Sequence, residues 1–125
     1  MVEVLVTGGA GFIGSNFVRF ALAAHDDWRI TTLDKLTYAG RRENLLDVME
    51  HPRHRFVHGD IVHAPVSAPL VERADIVVHF AAETHVDRSI QAAGDFIRTD
   101  VEGTFVLLEA ARRAPQLRRF VQIST

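Results

Sequence analysis

The 125-residue chain has no cysteine, which excludes disulfide cross-links and thiolate metal sites alike. No apolar stretch approaches the roughly 20 residues that a membrane-spanning helix needs, and no basic-then-apolar leader stands before the first apolar run. A soluble, cytoplasmic protein with no membrane partner is the expectation. Neither sign of charge prevails, with 14 basic side chains against 16 acidic ones. Without a basic stripe interleaved with aromatics, nucleic acid is not an expected partner. Low-complexity tracts, linkers and solenoid-type repeats are missing too. At this length one domain can bury ~65–70% of its unfolded surface, enough for a real core.

What is present begins at Val2, where an apolar run to Val6 is followed at once by Thr7-Gly8-Gly9-Ala10-Gly11-Phe12-Ile13-Gly14. Beyond Gly14, Phe17, Phe20, Ala21 and Ala24 recur at helical spacing. Strand, glycine turn and helix in succession bring backbone N–H groups and the positive end of a helix dipole to one place, which suits a phosphate. Gly8 permits the sharp exit from the strand. Gly11 offers bare main chain to a pyrophosphate, and Gly14 lets the helix pack closely on the sheet. The spacing is G-x-x-G-x-x-G rather than G-x-G-x-x-G, and glycines alone are also compatible with a tight turn that binds nothing.

A second feature lies at the matching distance. The segment Ile30 to Leu33 reads as a strand ending in Asp34, twenty residues after Gly14. A dinucleotide fold places there the carboxylate that accepts hydrogen bonds from the adenosine ribose. Such a carboxylate repels a 2′-phosphate and favours NAD over NADP, although Lys35, Arg41 and Arg42 supply cations nearby. The other reading of Asp34 is a solvated strand end or a helix cap.

Apolar runs alternate with helical stretches along the rest of the chain. Strands are expected near 2–7, 29–33, 54–58, 75–80 and 119–124, and helices near 12–24, 43–50, 66–73 and 94–113. The third helix should be short or broken, because Pro69 removes a backbone donor inside it. The alternation argues for an α/β fold, a parallel sheet with right-handed crossovers and helices on both faces; the Rossmann-type order 3-2-1-4-5 is the expectation for such a sheet with a dinucleotide turn. The C-terminal strand ends then converge Gly11 to Ile13, Asp34, Asp60-Ile61, Ala81 to Thr84 and Ser124-Thr125.

The histidines do not argue for a metal. His54 and His58 on one strand stand about 13 Å apart at ~3.3 Å per residue, too far to share an ion. His79, on the fourth strand, reads as a hydrogen-bonded core residue. His85 is open between a structural role and one in shaping the ligand site.

With these pieces assembled, the sequence resembles the extended short-chain dehydrogenase/reductases, and within them the dTDP-glucose 4,6-dehydratases. Three stretches carry the likeness: Thr7 to Gly14, Asp34-Lys35-Leu36-Thr37-Tyr38-Ala39-Gly40, and His79-Phe80-Ala81-Ala82-Glu83-Thr84-His85-Val86-Asp87-Arg88-Ser89-Ile90. The resemblance implies that Phe12 and Ile13 lie on the NAD pyrophosphate. It implies that Asp34, Lys35, Leu36 and Thr37 lie about the adenosine ribose and that Asp60 and Ile61 lie beside the adenine. Phe80, Ala81, Ala82 and Thr84 would line the nicotinamide half, and Thr99 would add a further cofactor contact. Thr84 and Asp87 match positions that touch the nucleotide-sugar, Thr84 standing where relatives commonly carry serine. Thr125 matches a catalytic threonine beside the hexose C4 oxygen.

The implied chemistry is an internal redox cycle on a nucleotide-activated hexose, dTDP-glucose first among them. C4 is oxidised, the C5 proton and the C6 oxygen leave as water, and the hydride held by NAD returns to C6. The family's Asp-Glu pair after the threonine, its Tyr-x-x-x-Lys pair and its substrate domain fall outside the 125 residues; the one tyrosine, Tyr38, has no lysine four positions on. The chain is therefore expected to be the cofactor-binding part, residues 1–125, and inactive alone. The 94–113 helix is expected to help form a homodimer. A nucleotide-sugar 4-epimerase, a related sugar-nucleotide dehydratase and a non-catalytic NAD-binding module are the alternatives.

Overall fold

The computed structural model describes residues 1–36, 42–80 and 98–123, with the backbone alone at 98–100. Five strands are joined by helical crossovers: β1 (Val2–Thr7), β2 (Trp28–Asp34), β3 (His54–His58), β4 (Ile76–His79) and β5 (Arg119–Gln122). All pairings are parallel, as the alternation predicts, and the order is the expected β3-β2-β1-β4-β5. Because side chains alternate across a strand, β1 sends Val4 and Val6 to one face and Leu5 to the other.

On the first face Val4, Val6, Ile30 and Val78 meet Val18, Ala21 and Leu22 of α1 (Phe12–Ala24). On the second face Leu5, Leu33 and Val77 meet Leu70 and Val71 of α2 (Ala64–Glu72), and Leu107 and Ala110 of α3 (Thr104–Arg113). Each layer rests on helices whose buried residues recur at three- and four-residue intervals, the spacing that keeps one stripe on the sheet.

Two helix expectations are corrected. Residues 43–50 do not form an α-helix. They make one 3₁₀ turn, Arg42–Leu45, followed by further turns held by bonds such as Val48 N–H to the Leu45 carbonyl, 2.9 Å. A long-range contact accompanies this: Arg19 donates to the Asn44 carbonyl, the acceptor an α-helix would offer to Val48, while Val48 N–H turns to Leu45. The 94–113 helix is also not uniform. Its described part opens as a π-helical segment, Arg98–Gly103, and becomes α-helical only at Thr104. The helix carrying Pro69 is short, as expected: α2 covers Ala64–Glu72 and runs through the proline. The carbonyl that loses its donor belongs to Pro65, which is exposed, so water can satisfy it.

Candidate functional site

The chain leaves β1 through Gly8, whose φ of 73° lies in the left-handed region, so a side chain there would be strained. Gly8 N–H donates to the Leu33 carbonyl at 2.8 Å, stitching the turn to β2. Gly9 then presses on β2, since a Cβ there would stand 2.4 Å from Thr32 Cγ2. Ala10 N–H donates to Asp34 Oδ2 at 3.0 Å, and the Ala10 carbonyl accepts from Asn44 Nδ2 at 2.7 Å. Gly11 N–H donates to the Gly8 carbonyl at 3.2 Å.

Gly14 has a different neighbour from the one expected. A Cβ on it would lie 2.4 Å from the Gly8 carbonyl oxygen and 3.0 Å from Gly9 Cα. Its bareness therefore lets the helix fit its own entry turn, not the sheet surface. No side chain caps the start of α1 and no acidic residue sits in its first turn. The N–H groups of Phe12, Ile13 and Gly14 thus have no intrahelical acceptor and face the partial positive charge of a helix start. Phe12 is 79% and Ile13 62% exposed. An anion reaching this turn meets donors and no carboxylate of the first turn.

Asp34 ends β2 buried and aimed at that turn. Oδ2 takes the Ala10 N–H, and Oδ1 takes the Leu36 N–H at 2.8 Å. A carboxylate oxygen has two lone pairs, so each retains one acceptor site. Leu36 follows with a φ of 57°, unusual for a leucine, while its side chain packs on the first-face core. Lys35 Nζ lies 3.8 Å from Asp60 Oδ2, and the Lys35 carbonyl is hydrogen-bonded to His58 Nε2 at 3.1 Å. Asp60 Oδ1 accepts the Val62 N–H at 3.1 Å, making a turn of the loop after β3. The ends of β1, β2 and β3 are in this way cross-linked around one corner.

Two other expected residues turn their side chains into the core. Ile61 is buried in the second-face core, and its carbonyl accepts from Ser67 Oγ at 2.8 Å. The Phe80 ring packs on Phe17 with centroids 5.6 Å apart, and its N–H donates to the Thr7 carbonyl at 2.8 Å. Thr99 lies in the π-helical segment. Thr37, Ala81, Ala82, Thr84, Asp87 and Thr125 lie outside the described residues.

Beneath this edge His79 is buried, with Nδ1 2.6 Å from Thr7 Oγ1 and Nε2 3.0 Å from Thr104 Oγ1. Burial pushes its pKa down to about 4, so at neutral pH the imidazole is uncharged and one nitrogen donates while the other accepts. It ties β1, β4 and α3 together as a core residue. His54 is likewise held below its ordinary pKa by burial, with Nε2 2.9 Å from Thr32 Oγ1. Among the described residues no group of three histidine or acidic side chains is placed to hold a metal ion, and no helix is long and apolar enough to cross a membrane.

Sequence reasoning missed Gly9 and Asn44. The doubled glycine carried a signal for the first, since two bare residues in succession suit a turn pressed between two strands. Nothing near Asn44 in the sequence indicates that its amide reaches Ala10.

Comparison with known proteins gives a consistent picture. The sequence profile of the family described as GDP-mannose 4,6 dehydratase matches residues 5–125. A Haloferax volcanii protein named low-salt glycan biosynthesis protein Agl12 is 57% identical over 124 residues, covering 99% of this chain and 39% of that protein. The dTDP-glucose 4,6-dehydratase of Mycobacterium tuberculosis is 54% identical over 112 residues, 90% of this chain and 33% of the enzyme. Among solved structures, a double mutant of the Streptomyces venezuelae dTDP-glucose 4,6-dehydratase DesIV, with NAD and DAU bound, superposes with a TM-score of 0.89. It is 53% identical and covers 98% of this chain and 39% of that one. The chain thus spans well under half the length of the proteins it matches.

Proposed function

The chain belongs to the GDP-mannose 4,6-dehydratase family, and from that premise we propose that residues 1–125 are the NAD-binding part of a dTDP-glucose 4,6-dehydratase. The observation that carries this reading is the Ala10–Asp34 hydrogen bond of 3.0 Å. It draws a strand-end carboxylate onto a bare glycine turn at the open start of a helix. The residues fit the cofactor in shape and in charge. A turn packed so closely that Gly14 admits no Cβ sets the first-turn N–H donors side by side, and Asp34 keeps acceptor sites for a ribose diol.

Within this reading Phe12, Ile13 and Gly14 offer main-chain N–H groups to the pyrophosphate, while Gly8 and Gly11, whose own N–H groups are spent on the Leu33 and Gly8 carbonyls, shape the bare turn it lies on. Asp34 fixes the adenosine ribose and disfavours a 2′-phosphate, with Lys35, Leu36 and Thr37 around it. The backbone of Asp60-Ile61 borders the adenine. Phe80, Ala81, Ala82, Thr84 and Thr99 border the other half of the cofactor, while Thr84, Asp87 and Thr125 face the nucleotide-sugar. NAD, when bound, supplies the hydride acceptor for oxidation at the sugar C4 and the hydride donor at C6. The hydroxyl of Thr125 is assigned to orient the C4 oxygen. The acid–base pairs of the family would come from sequence beyond Thr125, so the 125 residues bind cofactor without turnover.

A homodimer and a cytoplasmic location belong to the same proposal. On the π- and α-helical stretch, Val101, Phe105 and Leu108 form an outward stripe, 62%, 62% and 48% exposed. Those positions recur at helical spacing, as the face of a helix bundle does.

Calorimetric titration with NAD and NADP tests the cofactor assignment. Asp34→Ala is expected to weaken NAD binding roughly tenfold, the order of one or two lost hydrogen bonds, and to narrow the preference over NADP. Unchanged affinity for both in a folded variant would overturn the site. For the reaction, the longer gene product must convert dTDP-glucose to its 4-keto-6-deoxy product; interconversion of the C4 epimers instead would assign the epimerase alternative.

A further inference from the structure

The second face of the sheet carries a groove that the cofactor corner does not use. It lies toward the N-terminal ends of β1, β2 and β3, beside the C-terminal end of α2, and encloses about 340 Å³. Its floor is apolar, with Leu5 and Leu70 both buried. Its rim is cationic, formed by Arg29, Arg55 and Arg73.

The rim has more donors than the protein satisfies. Glu3 is the one carboxylate lining the groove, and it is already paired with Arg29 Nη1 at 2.7 Å. Arg73 gives its Nε to the Pro69 carbonyl at 3.2 Å, leaving both terminal nitrogens without a partner among the described residues. Arg55 is exposed and has no partner among the described residues. Gln116 donates from Nε2 to the Arg73 carbonyl at 3.0 Å and so holds the backbone beneath that guanidinium. Guanidinium forks around a concave floor match the oxygens of a phosphoryl group, which they can take in bidentate fashion.

We propose that this groove binds a small organic phosphate, its phosphoryl group between Arg55 and Arg73 and its apolar body on Leu5 and Leu70. The site is separate from the glycine turn, which occupies the opposite, C-terminal edge of the strands. Arg29, fixed by Glu3, contributes field more than contact.

The test is an amide-resolved NMR titration of the chain at constant ionic strength, with phenyl phosphate and inorganic phosphate as probes. Phenyl phosphate is expected to move the amides of Thr31, Arg55 and Ala74 saturably, and to bind roughly tenfold more tightly than inorganic phosphate because it also covers apolar floor. Arg55→Gln should weaken it roughly tenfold with the melting temperature unchanged, since Arg55 holds nothing else among the described residues. Arg73→Gln should act in the same direction. Shifts confined to the glycine turn, a response that never saturates, or full affinity in both variants would each overturn the proposal. Equal affinity for the two probes would remove the organic body and overturn it as well.

Discussion

Gly14 illustrates how a single missing methyl decides the geometry of the glycine turn. A Cβ would stand 2.4 Å from the backbone oxygen of Gly8, and a backbone oxygen cannot rotate aside as a side chain can. Alanine normally gains up to about 1 kcal/mol over glycine in a helix, but forcing apart a packed turn costs about 1–3 kcal/mol. The overlap prevails. Gly14→Ala is expected to destabilise the fold by about 1 kcal/mol in urea unfolding and, on the proposed cofactor assignment, to reduce NAD affinity at least roughly tenfold by displacing the N–H groups assigned to the phosphate. A gain in stability would show that the turn yields freely.

His79 gives a pH dependence of definite sign. Its folded pKa, about 4, lies below the ordinary 6.5, so between those values the unfolded chain takes up a proton that the folded chain refuses. The contribution is complete above pH 6.5, declines as the pH falls, and levels off near pH 4, about 3 kcal/mol lower in all. His54 acts in the same direction. Urea unfolding between pH 7 and 4 should therefore show steadily falling stability, and His79→Gln should flatten that slope without abolishing it. Equal slopes in the two proteins would mean that the imidazole is not kept neutral by the fold.

At this scale the sequence was legible where a residue's role is set by its neighbours along the chain. Gly8 is such a case, since a strand running directly into a helix demands a left-handed or bare residue. Asp34 is half such a case. Its distance from the turn was readable, but its first partners are the amides of Ala10 and Leu36, which only the juxtaposition of β1 and β2 reveals.

Among elements, the strands were the clearest, because strands covered on both faces must be apolar nearly throughout. Segments whose backbone groups are taken by distant side chains were not. The 43–50 stretch has helical composition, yet the Asn44 carbonyl accepts from Arg19, its amide goes to Ala10, and Val48 N–H bonds Leu45 instead. The far end of α1 makes the same point. Arg53 donates to the carbonyls of Leu22, His25 and Trp28 at 2.7, 2.6 and 2.8 Å. One guanidinium from the entry to β3 thus closes the end of α1 and the turn into β2. Arg53→Met keeps much of the aliphatic stem and removes the donors, and is expected to cost about 2 kcal/mol. Chemical denaturation measures this directly, and hydrogen exchange should place the loss in the last turn of α1.

For the molecule as a whole, the two faces of the helical stretch 98–113 are unequal. Leu107 and Ala110 are buried against α2 and the sheet, while Val101, Phe105 and Leu108 stand out in solvent. An α-helix on the face of a doubly wound sheet needs one apolar stripe; a second, at i, i+4 and i+7, adds nothing to the monomer. Lone exposed apolar residues are ordinary, but an aligned set of three on one rod is what pairs of helices use to associate. If the stripe is the contact between two copies, Phe105→Asp in the longer protein should convert a sedimenting dimer into a monomer at micromolar concentration, because a carboxylate buried in an apolar bundle costs several kcal/mol. NAD affinity should stay within about twofold, since Phe105 lies on the side facing away from the sheet and the cofactor turn lies on the other. A variant that remains dimeric would place the contact elsewhere, and a variant that loses NAD together with the dimer would mean that the second copy helps to build the cofactor corner.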